Sequence, residues 1–172
     1  MIWTSANSIS STPAVLEHLR DPVSVIDRLL PLLAPGGQLL IEDHDFSEPA
    51  VTAGAHLASS PAVADAYARF YTASSQLLEL TGAHPTLGRE LAPLLVGSGL
   101  DEVGTQLRIT VSPTGSGDLC SLSLLALEET FREAGVLTER DIASIRKAID
   151  EPGARLPAPP IVAAWGTLGA RR

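Results

Sequence analysis

The stretch Val15 to Phe46, VLEHLRDPVSVIDRLLPLLAPGGQLLIEDHDF, decides the fold. Asp21-Pro22 is a helix start: a capping aspartate, then a proline whose missing N–H costs nothing in the first turn. Val25, Ile26, Leu29, Leu30 and Leu33 recur at helical spacing. Pro31 lies inside that pattern and is expected to kink or shorten the last turn. Pro35-Gly36-Gly37 ends the element. Gln38 to Glu42 follows as a strand. Its consecutive Leu39, Leu40 and Ile41 suit a strand covered on both faces, as in a parallel sheet. A polar cluster, Glu42-Asp43-His44-Asp45, closes it. Open α/β sheets bind ligands beyond the carboxyl ends of their strands, so this cluster lies where a site is expected.

Working outward, Ile2 to Ser5 is a short strand and Ala6 to Thr12 a polar stretch, with Pro13 opening a short helix capped by Thr12. Ser60-Pro61 begins a long helix reaching about Leu80, with Val63, Tyr67, Phe70, Tyr71, Leu77 and Leu78 as its buried residues. Thr86 to Val96 is a further helix, weakened by Pro93. Val103 to Val111 is a strand, Pro113 to Gly117 a loop and Leu119 to Ala134 an apolar helix. Thr138 with Asp141 three residues on gives a capping signature for a helix over Glu139 to Ile149. Glu151 to Pro160 is a proline-rich connection, and Ile161 to Leu168 a final strand. The alternation of strands and helices predicts an α/β fold. No repeat and no boundary divides residues 1–172, so one domain is expected.

The 172 residues are enough to bury a core, and 45% of them are hydrophobic. The net charge of -8 argues against nucleic acid and against an anionic membrane surface. No apolar run reaches the length of a membrane span, and the first residues, with no basic region before an apolar run, lead to the expectation of no signal peptide. The single cysteine, Cys120, cannot form an internal disulfide, which points to a reducing cytoplasm. Twelve residues are basic, and only Lys147 among them is lysine. The arginine, alanine and proline bias fits a GC-rich bacterial genome.

Leu16-Glu17-His18-Leu19, Asp21-Pro22 and Pro35-Gly36-Gly37, followed by the apolar strand, resemble the middle of a class I S-adenosylmethionine-dependent methyltransferase. Gly88-Arg89-Glu90-Leu91 with Gly99-Leu100, then Leu137-Thr138-Glu139 and Val162-Ala163-Ala164-Trp165-Gly166, are similar to the later part of that family. The resemblance implies a partial Rossmann-like methyltransferase fold, strands 4-5-7-6 with helices on both faces. It aligns Ile2 to Ser5 with the fourth strand, Gln38 to Glu42 with the fifth, Val103 to Val111 with the sixth and Ile161 to Leu168 with the antiparallel seventh. The first three strands are missing. With them go the glycine-rich loop and the acidic ribose-binding residue, and no G-x-G-x-x-G or G-x-G-x-G occurs anywhere. Residues of about 46–84 read as a helical, lid-like insertion over a mid-sized substrate.

The resemblance places Glu17 and His18 near the transferred methyl group or a metal. Adjacent residues on a helix point about 100° apart, so both face one site only where the helix is ending. The alternative is a surface glutamate beside a half-buried histidine packed on the sheet. Histidine suits general-base work because it titrates near neutral pH. Strand alternation puts Glu42 and His44 on one face and Asp43 and Asp45 on the other. This cluster can orient a substrate hydroxyl or hold a hard metal, or it is a solvated strand end. Its spacing matches no fixed metal motif, and no metal is expected. Arg89 is a candidate for a substrate carboxylate or for an ion pair with Glu90. Tyr67 and Tyr71 either line a substrate cavity or pack in the core. Together the candidate catalytic residues are Glu17, His18 and His44, and the candidate substrate contacts Asp43, Asp45, Arg89, Tyr67 and Tyr71. The cofactor-binding residues are unknown.

The functional expectation is the C-terminal half of such a methyltransferase, acting on a small molecule in natural-product or quinone biosynthesis. It would be inactive unless completed by a partner. S-adenosylmethionine is expected in full-length relatives and not on this chain alone. The alternative is a stand-alone protein that has lost cofactor binding and serves as a ligand-binding protein, partner subunit or cofactor-free cyclase. An unprotected fourth-strand edge predicts a homodimer or a partner chain supplying the missing strands.

Overall fold

The computed structural model describes residues 3–5, 8–10, 14–114 and 119–169. Its elements are β1 (Trp3–Ser5), β2 (Ser8–Ser10), α1 (Pro22–Leu29), β3 (Gln38–His44), α2 (Glu48–Ala55), α3 (Pro61–Leu80), α4 (Leu87–Gly97), β4 (Asp101–Arg108), β5 (Val111–Pro113), α5 (Leu119–Glu133), α6 (Glu139–Ile149), β6 (Arg155–Pro157) and β7 (Ile161–Thr167). Single-turn 3-10 helices cover Leu16–His18 and Leu30–Leu32. The short helix expected at Pro13 falls outside the described residues. The architecture is α/β, and the chain divides into two compact units.

The first unit comprises Met1–Asp45, Gly82–Arg108 and Ile161–Arg172. It holds a sheet in the order β1-β2-β3-β7-β4. β2 is parallel to β3, while β7 runs antiparallel to both β3 and β4. The strand beside β3 is Ser8–Ser10 and not Ile2 to Ser5, a correction to the sequence alignment. Trp3–Ser5 instead turns back antiparallel to β2 and forms the outer strand. A three-residue polar strand carries too little hydrophobic alternation to be seen in sequence. The sixth-strand reading also shortens, because β4 ends at Arg108 and Val111 begins the separate β5.

Asp21 caps α1 by accepting the N–H of Ser24 at 3.0 Å. The helix gives way to 3-10 geometry at Leu30, where Pro31 removes a donor from the ladder. Leu39 and Ile41 of β3, Ile26, Leu16 and Ala164 form one core with Leu87, Leu91 and Leu95 of α4. Burying each of those leucines contributes about 1.5–3 kcal/mol. Leu40, on the opposite face of β3, is only half-buried.

The second unit comprises Phe46–Thr81 and Ile109–Pro160. The helical insertion expected at about 46–84 therefore shares a core with the later helices α5 and α6. Helix α2 has no strong apolar period and is not legible in the sequence. Strand β6 lies inside the proline-rich connection and pairs with β5. Thr138 and Asp141 form the expected capping box at the start of α6.

Candidate functional site

The site is built where the 3-10 turn meets the end of β3. Ala14, in the left-handed region (φ 58), donates its N–H to Glu42 O at 3.1 Å and holds the incoming chain beside the strand. Leu16 is buried in the first unit's core and anchors the turn. His84 donates its N–H to Glu17 O at 2.6 Å, which ties the turn to the segment before α4. Gly88 of α4 packs on the end of β3. A Cβ there would lie 2.7 Å from His44 O and 2.8 Å from Asp43 O. Neither Gly88 nor His84 is among the site residues read from the sequence. Their signals in the sequence are the family-like segment Gly88-Arg89-Glu90-Leu91 and the His84-Pro85 turn before it.

Glu17 is 2% exposed and Asp43 is fully buried. The Asp43 carboxylate accepts two backbone N–H groups, from Glu17 at 3.0 Å and from His44 at 3.1 Å. It therefore clamps the turn to the strand end. With Glu17 ionised, His44 Nδ1–H donates to Glu17 Oε1 at 2.9 Å. His18 Nε2 lies 3.4 Å from the same oxygen. The side chain of His44 is 14% exposed and that of His18 is 54% exposed. The reading of a surface glutamate beside a half-buried histidine is thus reversed: the glutamate is buried and His18 faces solvent. The turn stops at His18, so both side chains reach one point despite being adjacent. Glu17 Oε2 is buried and has no hydrogen-bond partner among the described residues.

Burial pushes the Asp43 carboxyl up to about 6, and the neighbouring negative charge of Glu17 pushes it the same way. The two backbone N–H donors and His44 oppose that rise.

Strand alternation holds as read. Leu39, Ile41 and Asp43 are buried, while Leu40, Glu42 and His44 are half-buried on the other face. Asp45 is buried as well. Arg89 is exposed on α4 and pairs with no carboxylate among the described residues. Glu90 instead accepts from the Thr86 hydroxyl at 3.3 Å. Tyr67 and Tyr71 belong to the second unit, where they pack in its core with ring centroids 4.6 Å apart. Tyr67 donates its hydroxyl to Ala158 O at 3.3 Å. None of the described helices is long and apolar enough to cross a membrane.

No family model matches the chain. Two curated fungal proteins do, both from Strobilurus tenacellus. Methyltransferase str2 is 38% identical over 84 residues, which is 49% of this chain and 28% of str2. Methyltransferase str3 is 33% identical over 122 residues, 70% of this chain and 40% of str3. The chain is methyltransferase-like. This methyltransferase-like chain spans less than half the length of either curated relative. Among solved structures it is similar to a Bacillus halodurans protein provisionally described as a methyltransferase, at 13% identity and TM-score 0.45. That match covers 95% of this chain and 70% of the other. It is also similar to the plantazolicin methyltransferase BamL, solved with a triazolic desmethylPZN analog and SAH, at 15% identity and TM-score 0.38. That match covers 94% and 53% of the two chains.

A methyl donor of the S-adenosylmethionine type needs a glycine-rich turn after a parallel strand, where backbone N–H groups can approach it. The residues after β3 and β4, Asp45-Phe46-Ser47 and Ile109-Thr110, contain no glycine. The described residues after these strands therefore offer no such turn for that donor.

Proposed function

We propose that this chain contributes the acceptor side of an S-adenosylmethionine-dependent methyltransferase acting on a small molecule of natural-product or quinone type. The observation that carries the reading is the Glu17–His44 pair at the rim of the parallel strands, in a chain similar to two methyltransferases. Glu17 Oε1 fixes the orientation and tautomer of the His44 ring through Nδ1. In that tautomer Nε2 carries the lone pair, so His44 takes the proton of an acceptor hydroxyl or amine. His44 is the proton acceptor and Glu17 its positioning residue. His18 lines the mouth, and Asp43 holds the two elements together. Asp45 and Arg89 remain candidates for contact with substrate. The donor-binding strands come from residues outside this chain, supplied by a partner polypeptide that adds at the β1 edge.

The test has two arms. Calorimetric titration of the 172-residue chain with S-adenosylmethionine is expected to show no binding. Transfer of a labelled methyl group to a phenol and enol panel is expected only when a polypeptide carrying the first three strands is added. Glu17→Gln in that reconstituted enzyme lowers kcat about 100-fold or more and alters its pH profile. Transfer by the chain alone refutes the need for completion. Absence of transfer in every completed form favours a ligand-binding or partner-subunit role.

A further inference from the structure

The same rim contains a constellation that proton transfer does not account for. One ligand atom each from Glu17, Asp43 and His44 lies within 4.8 Å of the other two. Two are carboxylates buried beside each other, which is costly because like charges in a dry site repel. Glu17 Oε2 adds a second cost. It is buried, belongs to the carboxylate turned into this cluster, and has no hydrogen-bond partner among the described residues. Buried polar atoms in native proteins have partners, so this oxygen calls for one beyond the described residues. A water molecule would satisfy the hydrogen bond but not the repulsion between two carboxylates. A cation satisfies both.

We infer that Glu17, Asp43 and His44 form a binding site for a divalent transition ion of the zinc class. The donor set fixes the class. Two carboxylate oxygens alone suit magnesium or calcium, and an imidazole nitrogen shifts preference toward zinc and its first-row neighbours. Asp43 can serve although both its oxygens accept N–H bonds, because a carboxylate offers about four lone-pair sites. With zinc–oxygen and zinc–nitrogen distances of about 2.0–2.1 Å, tetrahedral ligand atoms stand about 3.3 Å apart. Contraction of the cluster by up to about 1.5 Å therefore closes it on an ion. The exposed edge of His44 gives access, and His18 Nε2, 3.4 Å from Glu17 Oε1, stands at the mouth within reach as a further ligand. The site escapes motif reading because Glu17 and Asp43 are 26 residues apart and come from different elements.

This inference goes beyond the methyl-transfer reading and does not depend on it. An ion on Glu17 and His44 competes with their role in taking a proton, so the two claims are separable by experiment. The tag-free chain is titrated with zinc chloride, and in parallel with magnesium chloride, by calorimetry. One zinc ion per chain is expected, with magnesium bound far more weakly. Glu17→Gln and His44→Gln each weaken zinc binding by more than the roughly 10–100-fold that loss of a supporting group costs. His56→Gln leaves it unchanged. Cobalt(II) added to the wild-type chain gives visible absorption bands that both ligand variants lose. Circular dichroism checks folding, and if one variant fails to fold the other decides. No zinc binding, or zinc binding of equal strength in both ligand variants, overturns the inference whether or not the completed enzyme transfers methyl groups.

Discussion

Replacing Asp43 with asparagine separates its two roles, clamp and buried charge. Its carboxyl titrates at about 6 instead of the ordinary 3.8, because burial and Glu17 oppose its charge. The folded state therefore binds the Asp43 proton more tightly than the unfolded chain does. This contribution to stability is fully present below 3.8 and is lost as pH rises through about 6. At about 1.36 kcal/mol per pH unit the difference is worth about 3 kcal/mol. Relaxation and water penetration around the ionised carboxylate lower it to about 2 kcal/mol. Asparagine keeps the shape and cannot ionise. It accepts only one of the two backbone N–H groups, and a buried donor left unpaired costs about 1–3 kcal/mol. Asp43→Asn should thus be about 1–3 kcal/mol less stable than wild type near pH 4, with the gap closing by about 2 kcal/mol at about pH 7.5. Urea denaturation at closely spaced pH values, followed by Trp165 fluorescence on β7, measures this as the wild-type-minus-variant difference, in which the other carboxyls cancel. A gap that stays constant between those two pH values refutes the reasoning, since Asp43 would then carry no raised proton affinity in the folded state.

Three further substitutions test local packing and capping. Gly88→Ala places a methyl against the backbone carbonyls of Asp43 and His44, which cannot rotate away. It should cost about 1–3 kcal/mol in chemical denaturation and shift the His44 ring resonances. Gly54→Ala, in the second unit, meets the Tyr67 hydroxyl. A similar loss, with altered near-ultraviolet circular dichroism from the aromatic core, is expected, and an unchanged spectrum with unchanged stability would contradict the packing. Thr138→Ala removes the hydroxyl that accepts the Asp141 N–H at 3.2 Å and should cost about 1 kcal/mol. Thr138 and Arg69 hold the Asp141 carboxyl below its ordinary range, so the wild-type cap contributes above pH 3.8 and weakens as pH falls below it. The variant's deficit should shrink in acid, as read by thermal denaturation at about pH 2.5 and about pH 6.

The sequence by itself determined the elements whose signals are local. Asp21-Pro22 set the start of α1, Pro31 its change to 3-10 geometry, and Thr138 with Asp141 the cap of α6. The apolar run of β3 and the alternation that separates Asp43 from His44 were legible too, because strand periodicity is a property of consecutive residues. It also put Glu17 and His18 among the candidate site residues. Tertiary structure alone decided which of that adjacent pair is buried. A single 3-10 turn anchored by Leu16 directs Glu17 inward and leaves His18 in solvent, and neither propensity nor spacing encodes that choice. The strand beside β3 was decided in the same way. Ser8–Ser10 has no hydrophobic pattern and becomes a strand only because β3 offers its backbone groups for pairing. Gly88 and His84 belong to the site because α4 packs on the end of β3. The Asp43 clamp joins groups 26 residues apart, so its raised proton affinity exists only once folding has excluded water and brought Glu17 against it.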